Sequence, residues 1–155
     1  DTSYSEAMHR IKFFKNFIED KDGYKLFNRN DGKCKEMDVQ LSFKLVWYKT
    51  KFAVDSEVGN GRGVVDFIIS KGANDKTLIE FKLASNSKLE ANLLHQLPVY
   101  EKANNTNKSI EVILYFNEQE KKKVDRVLKK IDSLNKENMI IIDCMNCKLS
   151  ASNIR

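Results

Sequence analysis

The sequence predicts a mixed α/β domain with a central mixed sheet flanked by helices. Three observations carry that expectation. Two amphipathic helical patterns open the chain. Three short strand-like segments then follow one another with turn residues between them. From there strands and helices alternate to the end of the chain.

Residues Ser5 to Ile18 place Met8, Ile11, Phe14 and Ile18 at helical spacing between polar residues. Asp20-Lys21-Asp22-Gly23 reads as the exit, with Gly23 near the C-cap. Tyr24 to Phe27 reads as a short extended piece and Asn28 to Gly32 as a turn. A second helix is expected from Lys35 to Tyr48, its inner stripe formed by Val39, Phe43, Val46 and Trp47. Strands are expected at Phe52 to Val58, Val64 to Ser70 and Thr77 to Ala84, and the Asn60-Gly61 step favours a tight hairpin. Ser85-Asn86-Ser87 offers N-caps for a helix from about Lys88 that carries Leu89, Leu93, Leu94 and Leu97. Pro98 has no N–H to donate and should kink or restart that helix. A strand at Ser109 to Phe116 follows, then a helix from the cap Asn117 to about Leu134. Its inner face is Val124, Val127, Leu128 and Ile131. Met139 to Cys144 reads as a last strand, buried because it is so apolar.

A chain of 155 residues fits a single domain over residues 1–155, with the first helix as an addition to the core. A 41% hydrophobic share excludes a disordered chain, and one proline among 155 residues argues for dense regular structure. The excess of 27 Lys and Arg over 22 Asp and Glu suits a polyanion partner such as nucleic acid. Three cysteines, Cys34, Cys144 and Cys147, do not form a secreted disulfide framework and suit a reducing cytoplasm. Cys144 and Cys147 have metal-ligand spacing, but an iron–sulfur cluster wants a fourth thiolate, and a zinc site would need His9 or His95. No apolar run reaches transmembrane length, and the start at Asp1 fits a fragment of a longer protein with partner domains. The basic run Lys121-Lys122-Lys123 reads as a solvated helix face.

The second and third strands carry charges where a buried strand should have none. Asp66 interrupts the run Val64-Val65-Asp66-Phe67-Ile68-Ile69, and Glu80 and Lys82 interrupt Leu78-Ile79-Glu80-Phe81-Lys82-Leu83. A strand alternates faces, so Glu80 and Lys82 share one side, and hairpin pairing can bring Asp66 to it. Neighbouring buried carboxylates repel unless a proton or a cation lies between them. A hard divalent cation such as Mg²⁺ suits these oxygen ligands and the chemistry of phosphate displacement. Taken singly, each residue has a plainer role, such as an exposed strand position or an ion pair of Asp66 with Arg62.

Asp66 followed by Glu80-Phe81-Lys82 resembles the D…(D/E)xK signature of the PD-(D/E)xK nuclease superfamily, with Val65 where that family usually has proline. Gln96-Leu97-Pro98-Val99-Tyr100 is similar to the QxxxY motif of RecB-type members, on the helix after the third strand. The resemblance implies a restriction-endonuclease-like αβββαβ core and a Mg²⁺- or Mn²⁺-dependent nuclease acting on DNA, in a bacterial or phage defence setting. It implies that Asp66, Glu80 and the carbonyl of Phe81 ligate the metal, and that Lys82 positions or activates the water. Glu36 would bind a second metal or orient its water, with Asp38 or Glu57 as alternatives. Gln96 would support Lys82 or the scissile phosphate, and Tyr100 would contact substrate. Arg62 and Lys88, with Lys71 and Lys76, are the phosphate-contact candidates near these residues. Two other readings stay open: a nuclease-fold module that binds nucleic acid or protein without cutting, and an RNA-directed nuclease such as a toxin or defence effector. Double-strand cutting would call for a homodimer.

Overall fold

Thr2 starts the first helix, α1 (Ser3–Asp20), by a reciprocal cap: its hydroxyl accepts from the Ser5 N–H, and its own N–H donates to Ser5 Oγ. The structure is a computed structural model that describes residues 1–27, 34–59, 61–131 and 136–145. The turn expected at Asn28 to Gly32, the hairpin residue Asn60, the end of the last helix at Leu134, and Cys147 lie outside the described residues. α1 buries Ala7, Ile11, Phe14 and Ile18, as its periodicity requires. At its exit the left-handed position falls on Asp22, at φ 64°, rather than on Gly23. Gly23 is needed for another reason: a Cβ there would stand 2.6 Å from the ring carbons of Phe17. Gly23–Phe27 is then a 3-10 turn, not an extended piece, because Tyr24 and Phe27 fold inward to the core.

The second helix, α2 (Glu36–Lys44), tightens into a 3-10 turn at Leu45–Trp47. The strands are β1 (Ala53–Gly59), β2 (Val64–Lys71), β3 (Asp75–Leu83), β4 (Ser109–Tyr115) and β5 (Met139–Asp143). They form one five-stranded sheet in chain order, antiparallel from β1 to β3 and parallel from β3 to β5. The helices that make the parallel crossovers are α3 (Leu89–Ala91) with α4 (Leu97–Ala103), and α5 (Glu118–Lys129). Between α3 and α4 the chain is π-helical, Asn92–Gln96. This is where the interruption expected from Pro98 occurs: a wider turn accommodates the donor that proline lacks. The sheet is therefore mixed and flanked by helices, as the sequence predicts.

One face of the sheet packs against α1 and α2, and the other packs Ile113 and Tyr115 under Leu89, Leu93, Val124 and Val127. The centre of the first core is Phe43 of α2. Its ring meets Phe81 at 4.9 Å, Phe67 at 5.1 Å, Phe14 at 5.3 Å and Trp47 at 5.9 Å, all edge to face. β5 is not an interior strand. Among the described residues it is an edge, and within it Ile142 alone is fully buried. The Ile141 carbonyl accepts from Lys15 Nζ, and the Asp143 N–H donates to Glu19 Oε2 at 3.2 Å, so α1 side chains cover that edge. No helix among the described residues is long and apolar enough to cross a membrane.

Truncating Phe43 to Ala should cost about 3–5 kcal/mol of stability, the usual range for a buried phenylalanine at the centre of a core. Urea unfolding of the variant measures it, and a loss under about 1 kcal/mol would mean that the ring cluster does not hold α2 to the sheet.

Candidate functional site

The ladder between β2 and β3 runs from Lys71↔Asp75 to Phe67↔Ile79 and stops there. One residue further on, Asp66 and Glu80 come opposite each other. At this point side chains replace the backbone ladder. The Asp66 N–H donates to Glu80 Oε1 at 3.2 Å, and the Phe81 N–H donates to Asp66 Oδ2 at 2.7 Å. Each carboxylate thus takes a main-chain donor of the other's strand. On the far side of β2 the pairing with β1 also skips this level, passing from Ser56↔Phe67 to Val58↔Val65. The skipped residue is Glu57, at φ 55°, a left-handed conformation uncommon outside glycine.

α2 approaches the same point. Gln40 Nε2 donates to Asp66 Oδ1 at 2.8 Å. Glu36 lies one helical turn earlier on the same face, and its charge acts on Asp66, Lys82 and Glu111. Asp38 serves the helix instead, with Oδ2 accepting from the Lys35 N–H at 3.0 Å. Glu57 is exposed and lines a cleft of about 120 Å³ with Gln40 and Asp66. Of the three early acids weighed from sequence, Glu36 is the one whose charge acts on Asp66, Lys82 and Glu111.

Glu80 is 2% exposed and Lys82 6%, with Lys82 Nζ donating to Glu80 Oε2 at 3.3 Å. Beside Glu80, in register on β4, stands Glu111. It is 1% exposed and its Oε2 has no hydrogen-bond partner. Sequence reasoning missed Glu111 and Gln40. For Glu111 a signal existed: it interrupts the apolar run Ile110-Glu111-Val112-Ile113-Leu114 in the same way as Asp66 interrupts β2.

The remaining candidates stand further out. Phe81 sends its ring into the core and its N–H to Asp66. Gln96 is half-buried at the end of the π segment. Tyr100 lies in α4, and its side chain is outside the described part of the structure. Arg62 is exposed between β1 and β2, and Lys88 is exposed just before α3. Lys121 and Lys122 are exposed on α5, as expected of a solvated face, while Lys123 donates to the Asn86 carbonyl at 2.7 Å. Cys144 is buried in the first core. Among the described residues no three His, Cys, Asp or Glu side chains converge as a ready cation site.

The electrostatics follow from burial. Desolvation pushes Asp66 up to about 6, opposed by the Phe81 N–H and Lys82. Desolvation and then the Asp66 charge push Glu80 up to about 7. Desolvation and then Glu80 push Glu111 up to about 8. Burial pulls Lys82 down, but Glu80, Glu111, Glu36 and Asp66 outweigh it, and its net shift is upward. The lysine holds its proton, and the carboxylates ionise reluctantly.

A carboxyl that binds its proton more tightly folded than unfolded favours folding while it is protonated. Asp66, Glu80 and Glu111 therefore lend full stability below their ordinary values of 3.8 and 4.5, and withdraw it as pH rises through about 6, 7 and 8. Asp75, lowered chiefly by its bond from Ser3, acts in a separate window below 3.8. Without divalent cations the melting temperature should fall across the upper window, and Glu111→Gln should flatten the fall. Thermal melts at a series of pH values test this, and a level or rising profile would contradict it.

No curated protein and no solved structure matches this chain. Residues 3–118 match the family described as a domain of unknown function, DUF8371. The matched stretch runs from the first residue of α1 to the first of α5 and holds Glu36, Gln40, Asp66, Glu80, Lys82 and Glu111. The chain belongs to the DUF8371 family.

Proposed function

We propose that this protein is a metal-dependent nuclease of the PD-(D/E)xK type, hydrolysing phosphodiester bonds, with DNA as the first candidate substrate. One observation carries the reading. Asp66 and Glu80 stand side by side where β2 and β3 part, with Lys82 on Glu80, in a buried setting that holds more acid than base. The element order, with α2 before three antiparallel strands, then a helix and a parallel strand, supports a restriction-endonuclease-like core.

The residues fit a hard divalent cation. Every donor is an oxygen, and carboxyls held toward protonation by burial and by one another are the groups that a cation relieves. Asp66 and Glu80 would hold Mg²⁺ or Mn²⁺, with Glu36 as a further anion near them. Mg²⁺ needs only one or two carboxylates, with water in the other positions. When bound, such an ion supplies Lewis acidity and positive charge toward a phosphate. The rest falls to the chain. Lys82, held by Glu80 and kept cationic by its neighbours, would offer a fixed ammonium to a phosphate oxygen. Gln40 and the Phe81 N–H hold the Asp66 carboxylate in one orientation from two sides. Gln96, Tyr100, Arg62 and Lys88 would contact substrate around this centre.

A second reading is a nuclease-fold module that binds nucleic acid or protein without cutting. It is favoured by the lack of three converging acids among the described residues. Incubation with plasmid, single-stranded DNA and RNA, each with Mg²⁺, Mn²⁺ or EDTA, separates the readings. Cleavage that EDTA stops is expected, and Asp66→Asn or Lys82→Ala should lower its rate by about 100-fold or more. Undiminished cleavage by both variants would sink the site. No EDTA-sensitive cleavage of any substrate would select the binding module, and cleavage of RNA alone would select an RNA-directed nuclease.

A further inference from the structure

On the sheet face away from α1 and α2, a cavity of about 370 Å³ lies among β4, β5 and the helical residues around Pro98. Small-molecule sites run from roughly 300 to 1,000 Å³. Leu93, Pro98 and Met139 give it apolar walls, and Asn107, Glu111 and Asn138 give it polar groups. The other charges at its rim are already engaged. Glu101 Oε1 accepts from the Ser109 hydroxyl, and Lys130 Nζ donates to Glu90 at 3.0 Å. Asn138 is held by Tyr4, whose hydroxyl donates to its Oδ1 at 2.6 Å.

Glu111 is the polar group that lacks a complete set of partners. It alternates along β4 with Ile113, which packs under α3 and α5, so strand period sends its side chain into the layer that holds the cavity. It is 1% exposed, and its Oε2 accepts no hydrogen bond. A buried acceptor in that state is unfavourable, and native structures rarely keep one without a reason. Glu111 also stands in register beside Glu80, so this one residue links the cavity to the strand of the proposed phosphate site.

We infer that this cavity receives a nucleobase bearing an exocyclic amine: adenine, cytosine or guanine. The apolar walls take the ring, and Glu111 accepts from the amine. Once Glu111 is ionised, above about pH 8, uracil and thymine present carbonyl oxygens where the amine should be, and two acceptors face to face repel. A free phosphate is equally disfavoured by the acids around it. The inference rests on the nuclease reading in one respect: the base belongs to the strand whose phosphate lies at Asp66 and Glu80.

Neutral nucleosides test the cavity without a cleavage step. Above about pH 8, where Glu111 is ionised, calorimetry and saturation-transfer NMR on the full chain should show that at least one of adenosine, cytidine and guanosine binds about tenfold more tightly than uridine or thymidine. Glu111→Leu removes the acceptor and leaves no buried charge, and should weaken that binding by about tenfold or more. Leu94 lines the cavity and is 40% exposed, so Leu94→Trp should fold normally and block binding by bulk. Equal binding of all five nucleosides, no binding of any, or binding that survives both cavity variants would overturn the inference. Nucleic-acid cleavage without nucleoside binding removes this inference alone. Nucleoside binding without cleavage keeps the cavity and removes the nuclease reading.

Discussion

Where β2 and β3 part, two main-chain N–H groups lose the partners that an antiparallel ladder would have given them. Buried amides do not stay unpaired, so something must take their place. Here the Asp66 and Glu80 carboxylates do so, each reaching to the other strand. One exchange satisfies the backbone and sets the orientation of both acids. It also holds them together against their own repulsion. The rest of the architecture serves this arrangement. The rings of Phe67 and Phe81, next in sequence to the acids, are clamped from below by Phe43. Gln40, on the same helix as Phe43, steadies Asp66 directly. The site is thus built into the central hairpin and not into a loop, which keeps its geometry as firm as the core beneath it.

That firmness has an electrostatic cost. Glu36, Asp66, Glu80 and Glu111 all act on Lys82, and burial resists the ionisation of Asp66, Glu80 and Glu111. A purely structural cluster would be better served by apolar residues of similar volume. Local rules broken at the centre of an otherwise consistent sheet are the pattern expected where function overrides stability.

Much of the fold was legible because burial writes itself into periodicity. Met8, Ile11, Phe14 and Ile18 announced α1, and Val124, Val127 and Ile131 announced α5. The failures came from packing that periodicity does not report. Tyr24 and Phe27 look like strand residues, but the close approach of Gly23 to Phe17 turns them into the core. β5 looks like an interior strand because its residues are apolar, yet among the described residues its outer side is met by α1 side chains. In the site, Asp66, Glu80 and Lys82 stood out as charges inside apolar runs. Glu111 broke its run in the same way but belonged to no spaced pattern. Gln40 was invisible, since a glutamine on an amphipathic helix is ordinary until the fold sets it against Asp66. Sequence could not choose among Glu36, Asp38 and Glu57. The choice depends on which way α2 is turned and on which acid its own N-terminus consumes.

The cover over β5 has a consequence for how copies of this chain can meet. Sheets grow into larger assemblies by adding a strand at an open edge. At β5 the outward carbonyl of Ile141 and the outward N–H of Asp143 are already bound, and the Lys15 and Glu19 that bind them are themselves paired at 2.7 Å. A newcomer would have to break that pair and displace both side chains before its own backbone could dock. α1 is also moored at its start, where Ser3 bonds Asp75 and Thr77 of β3. The first helix therefore acts as a guard rail along the sheet, and a chain trimmed of it would lose a barrier to self-association as well as part of its core.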